Sequence, residues 1–330
     1  MKKVLLICAR VSSFVQSDVY ILKKHFFLEV LSWRGNWRLF KAVKGIIFSD
    51  LSICWFAVNY AAFVVLLSKI FGKKSIVVVG GYDVACIPEI GYGRFASGRY
   101  NSILTKFALK YCDAIVIVDA FLKNNIENNA KVYRKDIRCI PTGYDYKFWQ
   151  ALGEKKNIVL TVALAYRRTD LLIKGLEVFV NCAKLLPEVK FVVVGAEAEA
   201  AAVLKAMDVK NCEIIGFQEQ KSLISYYRAA KVYCQLSMCE GLPNSLCEAM
   251  LCECVPVGSD IPGIRSAIGD TGFYVPYADM HATVQAIKNA LNATLDIGGK
   301  ARDRITSLFP LEKREKALSA LVDELSRLNH

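Results

Sequence analysis

Residues Cys239–Met250 read CEGLPNSLCEAM, an anion-attracting turn with an acid on either side. Gly241-Leu242-Pro243-Asn244-Ser245 precedes an apolar-periodic run in which Leu246, Ala249 and Met250 share one helical face, with Pro, Asn and Ser where helix starts prefer them. The first N–H groups of a helix lack partners in their own helix and draw anions. Glu240 and Glu248 nevertheless flank this turn, so they are expected to bind something other than phosphate. Ser245-x-x-Glu248 also fits a capping box, in which Glu248 turns back onto the helix's own N–H groups. The two roles are compatible.

Working outward, 330 residues suffice for two domains, and 54% hydrophobic with 22% charged residues excludes disorder and suits parallel sheets buried on both faces. In the first half, strands are expected at Val4–Cys8, Leu28–Ser32, Ser75–Val79, Ala114–Val118 and Ile137–Ile140. Helices are expected at Asp18–His25, Trp37–Phe48 and Arg99–Tyr111. The second half repeats the pattern. Its strands are Asn157–Ala163, Lys190–Val194, Cys212–Ile215, Val232–Leu236, Val255–Val257 and Gly272–Val275, with helices such as Leu176–Leu186 and Leu223–Ala230. Two doubly wound α/β domains follow, 1–148 and 149–310, with a linker over Trp149–Lys156 and ligand expected in a crevice at the strands' carboxyl ends. A final helix, within 311–330, follows a proline and is expected to pack back on the first domain.

Charge is unevenly placed. Residues 1–150 hold 22 Lys/Arg and 10 Asp/Glu, whereas 151–330 hold 21 of each, so the whole excess of +12 lies in the first half. An anionic partner for that half follows. No zinc-finger spacing, RNP-type motif or helix-turn-helix accompanies the charge, and nucleic acid is not expected. Basic residues alternate with rings in Trp33-Arg34-Gly35-Asn36-Trp37-Arg38-Leu39-Phe40-Lys41, which suits either an anionic membrane surface or a helix with an ordinary solvated face and buried tryptophans. Leu51–Ser68 runs 18 residues without a charge, yet polar Ser52, Asn59 and Ser68 favour a short strand plus a buried helix over a span. Twelve cysteines placed mostly in apolar segments, with no signal peptide before Val4, fit a reduced cytoplasmic protein, peripheral on the inner face of the cell membrane.

Several chemistries lack their residues. There is no P-loop, no dinucleotide fingerprint after Gly195, no D-x-D pair for a metal–diphosphate, and His25, His281 and His330 stand far apart. Cys252-Glu253-Cys254 has the wrong spacing for zinc. No metal and no cofactor are expected.

Glu240 to Met250, followed by Val255-Pro256-Val257 and Asp260-Ile261-Pro262-Gly263, resembles the E-x7-E signature of family-4 glycosyltransferases with the GT-B fold. Ile140-Pro141-Thr142-Gly143-Tyr144-Asp145, Lys174-Gly175-Leu176 and Ile215-Gly216-Phe217 resemble further elements of that family, in order, over residues 137–290. The resemblance implies a GT-B enzyme of hexosyltransferase type, with two Rossmann-like domains facing a central crevice. Sugar would pass, with retention, from a nucleotide diphosphate sugar to an acceptor hydroxyl, lipid-linked if the charged half sits on a membrane. It also implies that Glu240 accepts bonds from sugar hydroxyls and Glu248 from the ribose, while Gly241, Leu242, Pro243, Asn244 and Ser245 lie against the diphosphate and Gly216 and Phe217 beside the base. Charge-assisted bonds to hydroxyls contribute roughly 1.5–3 kcal/mol. Each carboxylate also repels the diphosphate by roughly 3 kcal/mol at about 6 Å and an effective dielectric of ~20. Cations are therefore needed, and Lys174 with Arg167 or Arg168 would supply them. Lys174, expected at a helix start, would oppose the helix dipole unless an anion were bound.

Asp83, in Val79-Gly80-Gly81-Tyr82-Asp83, is a candidate for the acceptor hydroxyl, with an ordinary turn as the alternative. The family's Gly-Arg after the first strand of the second domain is replaced by Ala163-Leu164, and its Gly-rich loop after the first strand by Arg10-Val11-Ser12-Ser13-Phe14. Two other readings stay open: a nucleotide-sugar epimerase of the same architecture, which the scarcity of histidines disfavours, and a basic nucleic-acid-binding protein.

Overall fold

The computed structural model describes residues 1–33 and 38–327 and divides into two compact units, Met1–Gly143 with Leu311–His330, and Tyr144–Pro310. Trp37, expected in a helix, and Arg34, Gly35 and Asn36 of the basic-aromatic cluster lie outside the described residues.

Unit 1 alternates strand and helix: β1 (Lys3–Cys8), α1 (Ser13–His25), β2 (Phe27–Ser32), α2 (Arg38–Phe48), β3 (Leu51–Trp55), α3 (Asn59–Ile70), β4 (Lys74–Val79), α4 (Arg99–Tyr111), β5 (Ala114–Ile117), α5 (Leu122–Asn125) and β6 (Ile137–Cys139). The strands form one parallel sheet in the order β2-β1-β3-β4-β5-β6. Continuous apolar runs such as Leu5-Leu6-Ile7 and Ile76-Val77-Val78 are fully buried, as strands covered on both faces require. The charge-free stretch from Leu51 resolves into β3 and α3, and no helix among the described residues is long and apolar enough to cross a membrane.

Unit 2 runs β7 (Lys156–Ala165), α6 (Arg168–Lys174), α7 (Leu176–Lys184), β8 (Lys190–Ala196), α8 (Ala198–Ala206), β9 (Cys212–Ile215), α9 (Gln220–Ala229), β10 (Ala230–Gln235), α10 (Asn244–Leu251), β11 (Val255–Ser259), α11 (Pro262–Ile268), β12 (Phe273–Val275), α12 (Met280–Asn292) and α13 (Leu295–Leu308). Its sheet is also parallel, in the order β12-β11-β10-β7-β8-β9. Phe179 of α7 stacks edge-on against Phe191 of β8, 5.2 Å between centroids, both fully buried. All carboxyl ends of β7 to β12 line one edge of this sheet, because every pairing is parallel.

The stretch expected to be a linker from Trp149 belongs instead to unit 2. Trp149 is buried, and its ring meets those of Phe148 and Tyr227 at 4.8 and 5.6 Å. Arg302 of α13 also donates to the carbonyls of Tyr146 and Trp149. Tyr144, Tyr146, Phe148 and Trp149 are four aromatics in six residues and bury too much area to stay in solvent, so the compact units divide at Gly143/Tyr144.

The last helix, α14 (Leu311–Arg327), packs on α1 within unit 1. Arg314, buried, donates from Nε and Nη2 to the two carboxylate oxygens of Asp18 at 2.5 and 2.7 Å, and from Nη1 to the carbonyls of Ile140 and Pro141. Trp55 Nε1–H donates to the same aspartate at 2.8 Å, so both buried charges have their bonds.

Candidate functional site

Glu240 stands after the end of β10 and before α10, with only 14% of its side chain exposed. Its Oε1 accepts from Lys174 Nζ at 2.7 Å, Ser237 Oγ at 2.7 Å and Gln235 Nε2 at 3.0 Å. Among the described residues Oε2 has no hydrogen-bond partner. One oxygen is thus fully used in fixing the side chain, and the other keeps its acceptor capacity for hydroxyl donors.

Lys174 is the last residue of α6, so the expectation of a helix start is corrected. A cation there suits the dipole, and its position alone demands no anion. What brings it to Glu240 is Gly175. Its left-handed conformation (φ +64°) ends α6, and a Cβ at that position would lie 2.2 Å from the Leu236 carbonyl oxygen beyond β10. Only glycine lets the α6–α7 junction press so closely onto the end of that strand. Met238 N–H then donates to the Ile173 carbonyl at 2.8 Å, joining the two segments.

Ser245 forms no capping box. Pro243 is the N-cap of α10, and Ser245 Oγ donates instead to Gln235 Oε1 at 3.2 Å. Tyr233 OH donates to the same amide oxygen at 3.1 Å, so Gln235 is fixed with its amide nitrogen toward Glu240. Glu248 is buried, and its Oε2 accepts from Tyr227 OH at 3.1 Å rather than from backbone N–H groups. Burial pushes its carboxyl up to about 8, the tyrosine bond offsetting only part of the desolvation. Asn244, at the first turn, accepts from Tyr144 OH at 2.9 Å. Gly241, Leu242 and Pro243 are buried as a tight turn.

Elsewhere on this sheet edge, Arg167 and Arg168 open α6 after β7, both exposed; Arg167 approaches Asp170 only at 3.8 Å, a weak surface pair. Neither arginine bonds to the Glu240 cluster. Gly216 and Phe217 follow β9, three strands from β10, or roughly 14 Å at the usual strand spacing. Phe217 N–H donates to the Glu197 carboxylate at 2.6 Å, and a Cβ on residue 216 would sit 2.7 Å from that carboxylate. The ring of Phe217 is half exposed.

Asp83, the candidate for the acceptor hydroxyl, lies in unit 1. It is fully buried, and its carboxylate accepts from the N–H groups of Ala57, Gly80 and Gly81 at 2.9 to 3.1 Å. Burial raises its pKa, while these bonds act in the opposite direction. It ties the turn after β4 to the loop after β3 and presents no exposed acid. Among the described residues no three His, Cys, Asp or Glu side chains gather as a metal would require.

Gln235, Ser237, Tyr227, Tyr233 and Glu197 were not foreseen. The first two carried a signal: polar residues two apart at the end of an otherwise apolar, buried strand. Tyr227 and Glu197 carried none, since each acts through the fold on a residue about twenty positions away.

Residues 156–293 match the family of glycosyl transferases group 1. No curated protein sequence matches the chain. Among solved structures it is similar to sucrose-phosphate synthase from Thermosynechococcus elongatus, at 14% identity and a TM-score of 0.80 over 98% of this chain and 99% of that one. Anabaena HepE, solved with UDP and glucose, gives 13% and 0.80 over 98% and 100%. A glycosyltransferase from Rickettsia africae gives 16% and 0.71 over 98% of each. Identities this low speak for the fold, and the family comes from the matched stretch, which contains the Glu240–Glu248 element. Residues 156–293 thus match the glycosyl transferases group 1 family, and the chain as a whole has the GT-B fold.

Proposed function

We propose that the chain transfers a sugar, with retention, from a nucleotide diphosphate sugar to an acceptor hydroxyl on a lipid-linked molecule at the inner face of a membrane. The observation that carries the donor half is Glu240, held by three donors on one oxygen and unpartnered on the other, at the start of a helix whose next acid is buried Glu248. In this reading Glu240 Oε2 accepts from sugar hydroxyls and Glu248 from the ribose. The diphosphate lies against the first N–H groups of α10. An ammonium has three donors, so Lys174 can keep Glu240 and still reach a phosphate oxygen. With Arg167 or Arg168 it would stabilise the departing diphosphate electrostatically. Gly216 and Phe217, at the far end of the same sheet edge, would meet the base. HepE was solved with UDP, which makes UDP the first donor fragment to try. The test is thermal melting against a panel of nucleoside diphosphates and their sugars. A ligand at a hundred times its dissociation constant should stabilise by roughly 2.7 kcal/mol, and the shift should shrink in Lys174→Ala. A panel that shifts nothing at millimolar concentration would overturn the donor assignment.

A further inference from the structure

Unit 1 covers its sheet with two unlike layers. The chain moves one way across the sheet from β1 to β2 and the other way from β2 through β3 and β4 to β5, so right-handed crossovers place α2, α3 and α4 on the face opposite α1. α3 packs beside both α2 and α4, while α14 packs on α1.

The layers differ in charge. α2, α3 and α4 contain three, one and three basic residues and not one acid. α14, on the other face, balances four acids against four bases, and its Glu315 pairs with Lys24 and His25 of α1. On the basic layer Lys41, Lys44, Lys69, Arg99, Lys106 and Lys110 are all exposed, and among the described residues none has an acidic partner.

Large apolar side chains stand in solvent between these cations. Phe40, Lys44 and Phe48 recur every four residues and form one stripe of α2, Phe40 being 77% exposed. Ile70 of α3, with Tyr100 and Ile103 of α4, is exposed beside Lys69, Lys106 and Lys110. Phe48 and edge-strand Phe27 also wall an open groove of about 330 Å³ between α2 and β2, whose lining includes one cation, Lys3, and one acid, Glu29.

We propose that the α2–α3–α4 layer is the surface by which unit 1 sits on an anionic lipid bilayer. Phe40 and Phe48 enter the headgroup boundary while the lysines meet lipid phosphates. Charge selects this occupant. A second copy meeting the layer through a two-fold contact would set cations against cations, and a nucleic acid would leave the exposed aliphatic side chains without a partner. The inference deepens the reading of a membrane-held acceptor, and rests on it, by naming the face that reaches the lipid.

The full chain should float with phosphatidylglycerol-containing vesicles, not with pure phosphatidylcholine vesicles, and come off in high salt. Phe40→Ser/Phe48→Ser and Lys41→Glu/Lys44→Glu should each lower the vesicle-bound to unbound ratio at least tenfold, with melting temperature and oligomeric state unchanged. Lys106→Glu/Lys110→Glu should do the same, because α4 belongs to the same layer. Equal flotation on neutral vesicles, variants that bind like the parent, oligonucleotide capturing the chain in preference to vesicles, or a dimer that dissociates in the variants would each overturn the proposal. UDP-dependent melting is read in parallel. Its loss with normal flotation removes the donor assignment and leaves this surface standing, and the reverse result removes the surface alone.

Discussion

At the residue scale, the site separates two acids that look alike in the sequence. Glu240 is pinned by Lys174, Ser237 and Gln235 with one oxygen open, whereas Glu248 lies in the interior with only a tyrosine hydroxyl. Glu240→Gln should slow transfer on the order of a hundredfold, ~2.7 kcal/mol, with near-parental melting, because the amide is a weaker acceptor for hydroxyls. Single-turnover transfer per folded molecule checks it. Lys174→Ala should weaken nucleoside diphosphate binding about tenfold, ~1.4 kcal/mol, measurable by titration calorimetry. Glu248 makes a pH prediction. Its carboxyl is raised from an ordinary 4.5 to about 8 in the folded chain, so the folded state holds the proton more tightly than the unfolded one. The stability this contributes is fully present below about 4.5 and is lost as pH rises through 8. Raising the pH from ~5 to ~9 should therefore cost the parent a few kcal/mol relative to Glu248→Gln, which does not titrate. Urea unfolding of the two proteins across that range is the measurement, and parallel curves would show that the carboxyl is not buried as an acid.

Among elements, close approaches of backbone position the site. Gly175 puts the α6–α7 junction on the end of β10, and Gly263 does the same for α11, since a Cβ there would lie 1.7 Å from the Gly241 carbonyl oxygen. Gly263→Ala must therefore push α11 away from the turn that opens α10. The expected cost is about 1–3 kcal/mol in unfolding free energy, with a further loss of nucleotide affinity in the molecules that still fold. Affinity unchanged per folded molecule would show that the Gly241 turn does not touch the donor. The strands and most helices were legible from apolar runs and helical periodicity, as was the division of Leu51–Ser68 into a short strand and a helix. The role of Asp83 was not. Gly-Gly-Tyr-Asp reads as a turn whether exposed or buried, and the three N–H groups that hold this carboxylate come from two loops that only adjacent β3 and β4 bring together.

For the whole molecule, the last helix is tied to unit 1 by the buried Asp18–Arg314 pair as well as by the more exposed pairs of Glu315 with Lys24 and His25. Arg314→Met leaves the buried Asp18 carboxylate with the Trp55 N–H but no cation and should cost about 3–5 kcal/mol, while Asp18→Asn/Arg314→Met should recover a large share of it. Denaturant midpoints of the two singles and the double supply the coupling. Additive losses would mean that the pair is not the clamp. The charge asymmetry also belongs to this scale. Composition placed the excess in the first half, and the fold concentrates seven cations without an acid on one helix layer.

By itself the sequence determined two parallel α/β units and the acid–turn–acid element, because hydrophobic period, turn chemistry and motif spacing are properties of neighbours along the chain. Tertiary structure decided which groups hold Glu240, that Glu248 is buried on Tyr227, that Lys174 ends a helix, and that Asp83 is enclosed. Each of these depends on residues remote in sequence meeting where strands stand side by side, and on how much water remains around them. Neither quantity is written in the local pattern of the chain.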